Sequence, residues 1–195
     1  MSKAAGQARG RVLDVLRGLP LKRAEGEEAG LTADPHVWLD PVLYEDVVRR
    51  IATAAHGSPA PLLRDLRVLD RQFRRGLQHC ARKEIVTSHA AFGYLAERYG
   101  LRQVAITGLT PESEPTPSRL ADAIGLVRRT HATTVFFERL VSPRLADTVA
   151  REVHARTAVL DPIEGLTPTE QARGETYLTL MRQNLANLRS ALRCR

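Results

Sequence analysis

Between about Asp40 and Cys80 apolar positions recur at helical spacings; beyond them short β-branched runs alternate with further helical patterns. Leu43, Val47 and Ile51 fall four apart, just after Asp40 and Pro41, an N-cap residue followed by proline at the first helical position. This predicts a helix from Pro41 to the "HGSPAP" stretch. A second helix is predicted from about Pro61 to His79, where Leu62, Leu66, Leu69, Phe73 and Leu77 recur at spacings of three and four. Its many opposite charges suit a largely exposed helix. Upstream, residues 1–33 show little pattern beyond "RVLDVLRGL", and "AEGEEAG" reads as a solvated acidic loop.

After Cys80 come four short apolar, β-branched runs: "EIVTS" (84–88), "QVAITG" (103–108), "TTVFFE" (133–138) and "TAVLD" (157–161). Helical patterns separate them. "AAFGYLAERYG" closes on Gly100 as a C-cap. "TPSRLADAIGLVRRT" puts Leu120, Ala123, Ile124 and Val127 on one face, and "SPRLADTVAREV" carries Leu145, Val149 and Val153 after Ser142 and Pro143. Strands too short and apolar to face water, alternating with helices, predict an α/β fold: a parallel sheet flanked by helices. "TPTE" reads as a capping box from Thr167 to Glu170. It is predicted to open one long closing helix with a seam of Leu178, Met181, Leu185, Leu188 and Leu192.

At 195 residues the chain suits one domain of ordinary size, with no apolar run long enough to cross a bilayer. Its opening residues lack the apolar stretch and cleavage site of a secretory signal. The formal charge is +7, and all but three of the 29 cationic side chains are Arg. Such a balance favours anionic partners. The arginines, however, are interleaved with Asp and Glu, and aromatics are few, so no nucleic-acid partner is expected. Cys80 and Cys194 have no CxxC spacing: they are either two unrelated thiols or one disulfide tying the tail to the core.

Candidate chemistry follows from the fold class. In open α/β sheets ligands bind beyond the carboxyl ends of the strands. His89 follows "EIVTS" there, and Asp161 follows "TAVL". Imidazole and carboxylate are both competent ligands for divalent first-row ions. His36, in "DPHVWLDP", is a third candidate, with Asp34 or Asp40 placed to orient its ring. Each has a plainer reading: a helix cap for His89, a turn residue for Asp161, a turn beside the single Trp for His36. His56, His79, His131 and His154 sit at helix ends or beside Cys80 and point to no site. Spacing alone leaves an α/β domain with candidate metal ligands.

Six motifs follow one another along the chain: "DPHVWLDP", "TSHAAFGYLAERYGL", "GLTPESEPTPSRLADAI", "TTVFFERLVSPRLADTVARE", "LDPIEGLT" and "YLTLMRQNLANLRSAL". In this order they resemble the ZnuA/TroA-like family, the metal-binding solute-binding proteins of ABC transporters. The resemblance implies two α/β lobes joined by a long backbone helix, with the metal between them. Residues 1–58 would then be a remnant of the first lobe, 59–80 the backbone helix, and 81–195 the C-terminal metal-binding lobe. It implies His36, His89 and Asp161 as metal ligands, Zn²⁺ as the ion with Mn²⁺ the alternative, and a membrane permease as partner. It also implies an extracytoplasmic location, in periplasm or at the cell surface, and there a disulfide between Cys80 and Cys194 can persist.

Against the family pattern, the sequence reads as the second half of a binding protein, starting near the end of the first lobe and without that lobe's histidine, and "AEGEEAG" contains no histidine. Leu43, Val47 and Ile51 are therefore expected to form an exposed apolar face open to self-association. A binding protein rather than an enzyme is expected. The alternatives are a metal-binding adhesin, a degenerate fragment that does not transport, and a zinc hydrolase. Against the hydrolase, nothing in their spacing assigns Glu112, Glu138 or Glu164 as a general base.

Overall fold

The structure, a computed structural model, describes residues 6–7, 9–24, 32–109, 117–130, 132–140 and 144–195. Most of the acidic loop, Glu112, His131, the Ser142–Pro143 helix start and the Ala123 side chain lie outside the described residues.

Helix α1 (Pro41–Ala54) begins as its sequence dictates: Asp40 Oδ1 accepts the backbone N–H groups of Val42 and Leu43, and Pro41 needs no such partner. Helix α2 (Ala60–Leu77) follows. Of its predicted seam, Leu66, Leu69, Phe73 and Leu77 are fully covered, and Leu63 joins them. The remaining elements alternate: β1 (Glu84–Thr87), α3 (Gly93–Arg98), β2 (Arg102–Ala105), α4 (Pro117–Thr130), β3 (Thr134–Phe137), α5 (Arg144–Glu152) and β4 (Arg156–Val159). Gly100, at φ +66°, ends the α3 turn, and the Leu101 N–H reaches back to the Ala96 carbonyl. His56 and His154, both at φ +53°, take the same left-handed role past α1 and α5.

The strands form one parallel sheet in the order β2-β1-β3-β4, with Val86 opposite both Val104 and Val135. Side chains alternate across it. Ile85 and Phe136 face α2, α3 and the C-terminal helix, in a core with Leu69, Phe73, Leu95, Met181 and Leu188. Val86 and Val135 face α4 and α5, packing with Val127, Ala146 and Val149. The chain leaves β1 toward β2 and returns to β3 on its other side. The strand order therefore reverses between β1 and β3, and the crevice at their carboxyl ends is where such sheets bind ligands.

Two expectations are corrected. The Thr167–Glu170 capping box forms, but it opens only a short helix, α6 (Pro168–Ala172). Gly174, at φ +68°, breaks the run, and Thr176 caps a new helix, α7 (Tyr177–Leu192). Leu43 and Val47, expected to be exposed, pack with Val37 and Tyr94 under Val15, Leu16 and Leu19. Only Ile51 of that trio remains open, at 47 % exposure. The apolar part of "RVLDVLRGL" covers the face.

Cys80 and Cys194 are joined in a disulfide. It ties the C-terminal end of α2 to that of α7, across 114 residues of sequence.

Candidate metal centre

Three ligand-type side chains meet above the carboxyl ends of the strands: His36, His89 and Glu164. Each offers one atom, and the three atoms lie within 4.8 Å of one another.

His89 arrives directly from β1, two residues past Thr87, and its ring is wholly buried. Its carbonyl is fixed by the Thr87 hydroxyl (2.7 Å) and the Gln103 amide (3.0 Å). The Nδ1–H donates to Glu138, the first residue after β3, and the Ser88 hydroxyl donates to the same carboxylate. Hence the two strand tips flanking the switch point hold the ring between them. Nε2 is left buried without a hydrogen-bond partner, 3.7 Å from Glu164 Oε1.

His36 comes from outside the sheet. It precedes a 3-10 turn (Val37–Leu39), and Asp34 Oδ1 accepts both its backbone N–H (2.9 Å) and its ring Nδ1–H (2.7 Å). Asp34 does the orienting; Asp40, the other candidate, is engaged in capping α1 and pairing with Arg98. Three long-range bonds fasten this segment: the Tyr94 hydroxyl to the Asp34 carbonyl, Trp38 Nε1–H to the Pro162 carbonyl, and the Tyr177 hydroxyl to the Trp38 carbonyl. His36 Nε2 lies 3.0 Å from Glu164 Oε1.

The carboxylate facing both rings is that of Glu164; Asp161 does not join the group. Asp161 Oδ2 is held by the Arg139 guanidinium, and Oδ1 accepts the Ile163 N–H (2.8 Å). Its own N–H and carbonyl are both bonded to the Asn184 amide. With both oxygens engaged within its own lobe, Asp161 shapes the turn that carries Glu164. Within that turn Ile163 adopts φ +59°, a conformation β-branched residues rarely accept. "LDPIEG" offers two acids, and the first, at the strand end, attracts attention by its position; the deciding feature, the left-handed turn, has no glycine to signal it. Glu138 was visible as the acid closing "TTVFFE", but its partner His89 is 49 residues away and no spacing rule joins them.

The arrangement has a definite chemistry. Each histidine donates from Nδ1 to a carboxylate, which orients the ring and makes Nε2 the electron-rich donor, the usual support of a metal-bound imidazole. Two such atoms facing one carboxylate need positive charge between them, either protons or a cation. In the metal-free protein protons supply it. Burial acts to lower the pKa of both rings, yet Glu138 and Glu164 raise His89 to about 9, and Asp34 and Glu164 raise His36. The same pairing, first with His36 and then with His89, lowers Glu164 to about 2. A tetrahedral zinc with bonds near 2.05 Å separates its ligands by about 3.4 Å. The 3.0 and 3.7 Å separations here lie on either side of that value.

Comparison with known proteins gives a consistent picture. Residues 1–191 match the family described as zinc-uptake complex component A, periplasmic. The chain is 33 % identical over 211 aligned positions to the high-affinity zinc uptake system protein ZnuA of Bacillus subtilis, covering 97 % of this chain and 66 % of that protein. It is 38 % identical over 167 positions to the zinc-binding lipoprotein AdcA of Streptococcus pneumoniae, covering 80 % of this chain and 33 % of AdcA. The chain thus spans less than two thirds of either relative. Among solved structures, the Zn(II)-bound ZnuA-like domain of S. pneumoniae AdcA superimposes with a TM-score of 0.74 at 34 % identity, over 92 % of this chain and 69 % of that one. The laminin-binding protein Lmb of Streptococcus agalactiae, described as having adhesin and metal transporting activity, gives 0.81 at 28 % identity, over 95 % and 73 %. The α/β architecture is theirs as well.

Proposed function

The chain belongs to the zinc-uptake component A family, and from that premise we propose that it binds one zinc ion as the cargo of an ABC-type uptake system. The ligands are His36 Nε2, His89 Nε2 and a Glu164 oxygen. The observation that carries this reading is the buried, unpartnered His89 Nε2, aimed with His36 Nε2 at a single carboxylate. Two imidazoles and one carboxylate suit zinc better than harder ions; Mn²⁺ is the alternative cargo. Three protein ligands leave a position for water or a further ligand.

Residues 81–195 serve as a metal-binding lobe, 59–80 as a backbone helix against it, and the segment before residue 59 carries His36 to it. The working location is extracytoplasmic, supported by the periplasmic family description and the lipoprotein relative, and the partner is a membrane permease. A role in binding and delivery rather than catalysis follows from the family. Adhesion is a second reading, supported by the likeness to Lmb; measuring laminin binding with and without zinc tests it.

Calorimetric zinc titration tests the main reading. One-to-one binding by the wild type, lost in a His36→Ala/His89→Ala double variant, is the expected result. Unchanged binding by the double variant would overturn the ligand assignment.

A further inference from the structure

Beside the metal-facing carboxylate lies a charged cluster outside the ligand group: Arg139, Asp161 and Glu170. Arg139 immediately follows Glu138, the partner of His89, at the tip of β3. Its guanidinium reaches across to the tip of β4 and pairs with Asp161 Oδ2 through Nε (3.0 Å) and Nη2, while Nη1 pairs with Glu170. Both acids are buried. The other oxygen of each is also in use: Asp161 Oδ1 takes the Ile163 N–H, and Glu170 Oε2 takes the Thr167 N–H that starts α6.

The consequence falls on Glu164. Residues 161–163 form a turn whose polar groups are held from three sides: Asn184 holds both backbone groups of Asp161, Trp38 holds the Pro162 carbonyl, and Asp161 holds the Ile163 N–H. A β-branched residue stays in the left-handed region only where its surroundings over-determine it. Among these restraints the Asp161 carboxylate acts directly on Ile163, and Arg139 fixes that carboxylate. We propose that Arg139 is a positioning residue for the metal site: by locking Asp161, it holds the Ile163 turn that aims Glu164 at His36 and His89, and so couples the β3 tip to the β4 tip. This rests on the zinc-binding reading above.

A planar guanidinium is suited to the task because its fork engages two carboxylates at once, which a lysine ammonium does less well. Loss of an orienting partner of a metal ligand costs roughly 10–100-fold in affinity. Arg139 acts one step further away, so a loss near the lower end, about tenfold, is expected.

The test is a double-variant cycle in zinc affinity, with the visible spectrum of the Co²⁺-loaded protein as a second readout. Arg139→Gln should weaken zinc binding about tenfold and change the Co²⁺ bands. Arg139→Lys should recover part of the loss. In a Glu164→Gln background, Arg139→Gln should have no further effect on affinity, since its route to the metal is already cut. If Arg139→Gln does not fold, Asp161→Asn asks the same question from the other end, with the same expected pattern. Lower thermal stability with unchanged affinity and Co²⁺ spectrum, or an undiminished effect in the Glu164→Gln background, would overturn the inference and make Arg139 purely structural. Wild-type protein that binds no zinc would instead overturn the functional reading beneath it, and this inference with it.

Discussion

His36 and His89 present the same atom to the same carboxylate, but the chain delivers them by different means. His89 stands at the end of a central parallel strand, its neighbours fixed by the ladder and its ring held by Glu138 from the adjacent strand tip. His36 lies in a proline-flanked segment with no ladder, placed by Asp34 locally and by hydrogen bonds of Tyr94, Trp38 and Tyr177 over long range. One half of the site is thus a product of fold topology, and the other of individual side-chain contacts. Disturbing a few of these side-chain bonds should loosen the second half long before the first.

The largest effect expected is from Glu164→Gln or His89→Ala, each removing a ligand. Zinc affinity should fall by more than the roughly 100-fold upper end for loss of an orienting partner, measured by competition with a chelator. Next come the orienting acids. Glu138→Gln and Asp34→Asn should each cost about 10–100-fold, with Asp34→Asn the more damaging because the His36 segment has no strand ladder to hold its ring in place. The reverse order would break the comparison.

Acidity should act through the same groups. His89, raised to about 9 in the metal-free protein from an ordinary 6.5, contributes stability that is complete below pH 6.5 and lost as pH rises through 9. Glu164, lowered to about 2 from 4.5, contributes stability present above pH 4.5 and lost as pH falls through 2. From this cluster the metal-free protein is therefore most stable between pH 4.5 and 6.5. Zinc must displace the ring protons, so its affinity should climb between pH 6.5 and 9. Thermal melts and titrations across that range check both slopes.

Smaller effects sharpen the contrast. Trp38→Phe removes the bond to the Pro162 carbonyl; a stability loss of about 1 kcal/mol is expected, with a modest loss of zinc affinity from the His36 side. Replacing Cys80 and Cys194 by serine should cost about 2–5 kcal/mol in denaturant unfolding, yet leave zinc affinity unchanged, because the bridge clamps helix ends distant in the fold from the strand tips.

The same contrast explains what could be read from the sequence. The four strands, the Asp40–Pro41 helix start and the place of His89 follow from local pattern and from the rule for parallel sheets, and all lie within three residues of their expected places. The Thr167 capping box was legible, but the break at Gly174 and the second cap at Thr176 were not, because an isolated glycine within a helical pattern is ambiguous. The covering of Leu43 and Val47 by Val15, Leu16 and Leu19 depends on tertiary packing of a segment with no strong period. Glu164 escaped for a similar reason. Its direction is set by a left-handed isoleucine and by Arg139, 22 residues before Asp161, and neither leaves a mark in local spacing.

The central claim is that Glu164, with His36 and His89, holds the metal. Calorimetric zinc titration of the wild type beside Glu164→Gln and Asp161→Asn tests it most directly. One-to-one binding by the wild type, a loss of more than about 100-fold for Glu164→Gln, and a much smaller loss for Asp161→Asn are expected. Wild-type affinity in Glu164→Gln, with binding abolished in Asp161→Asn, would contradict it.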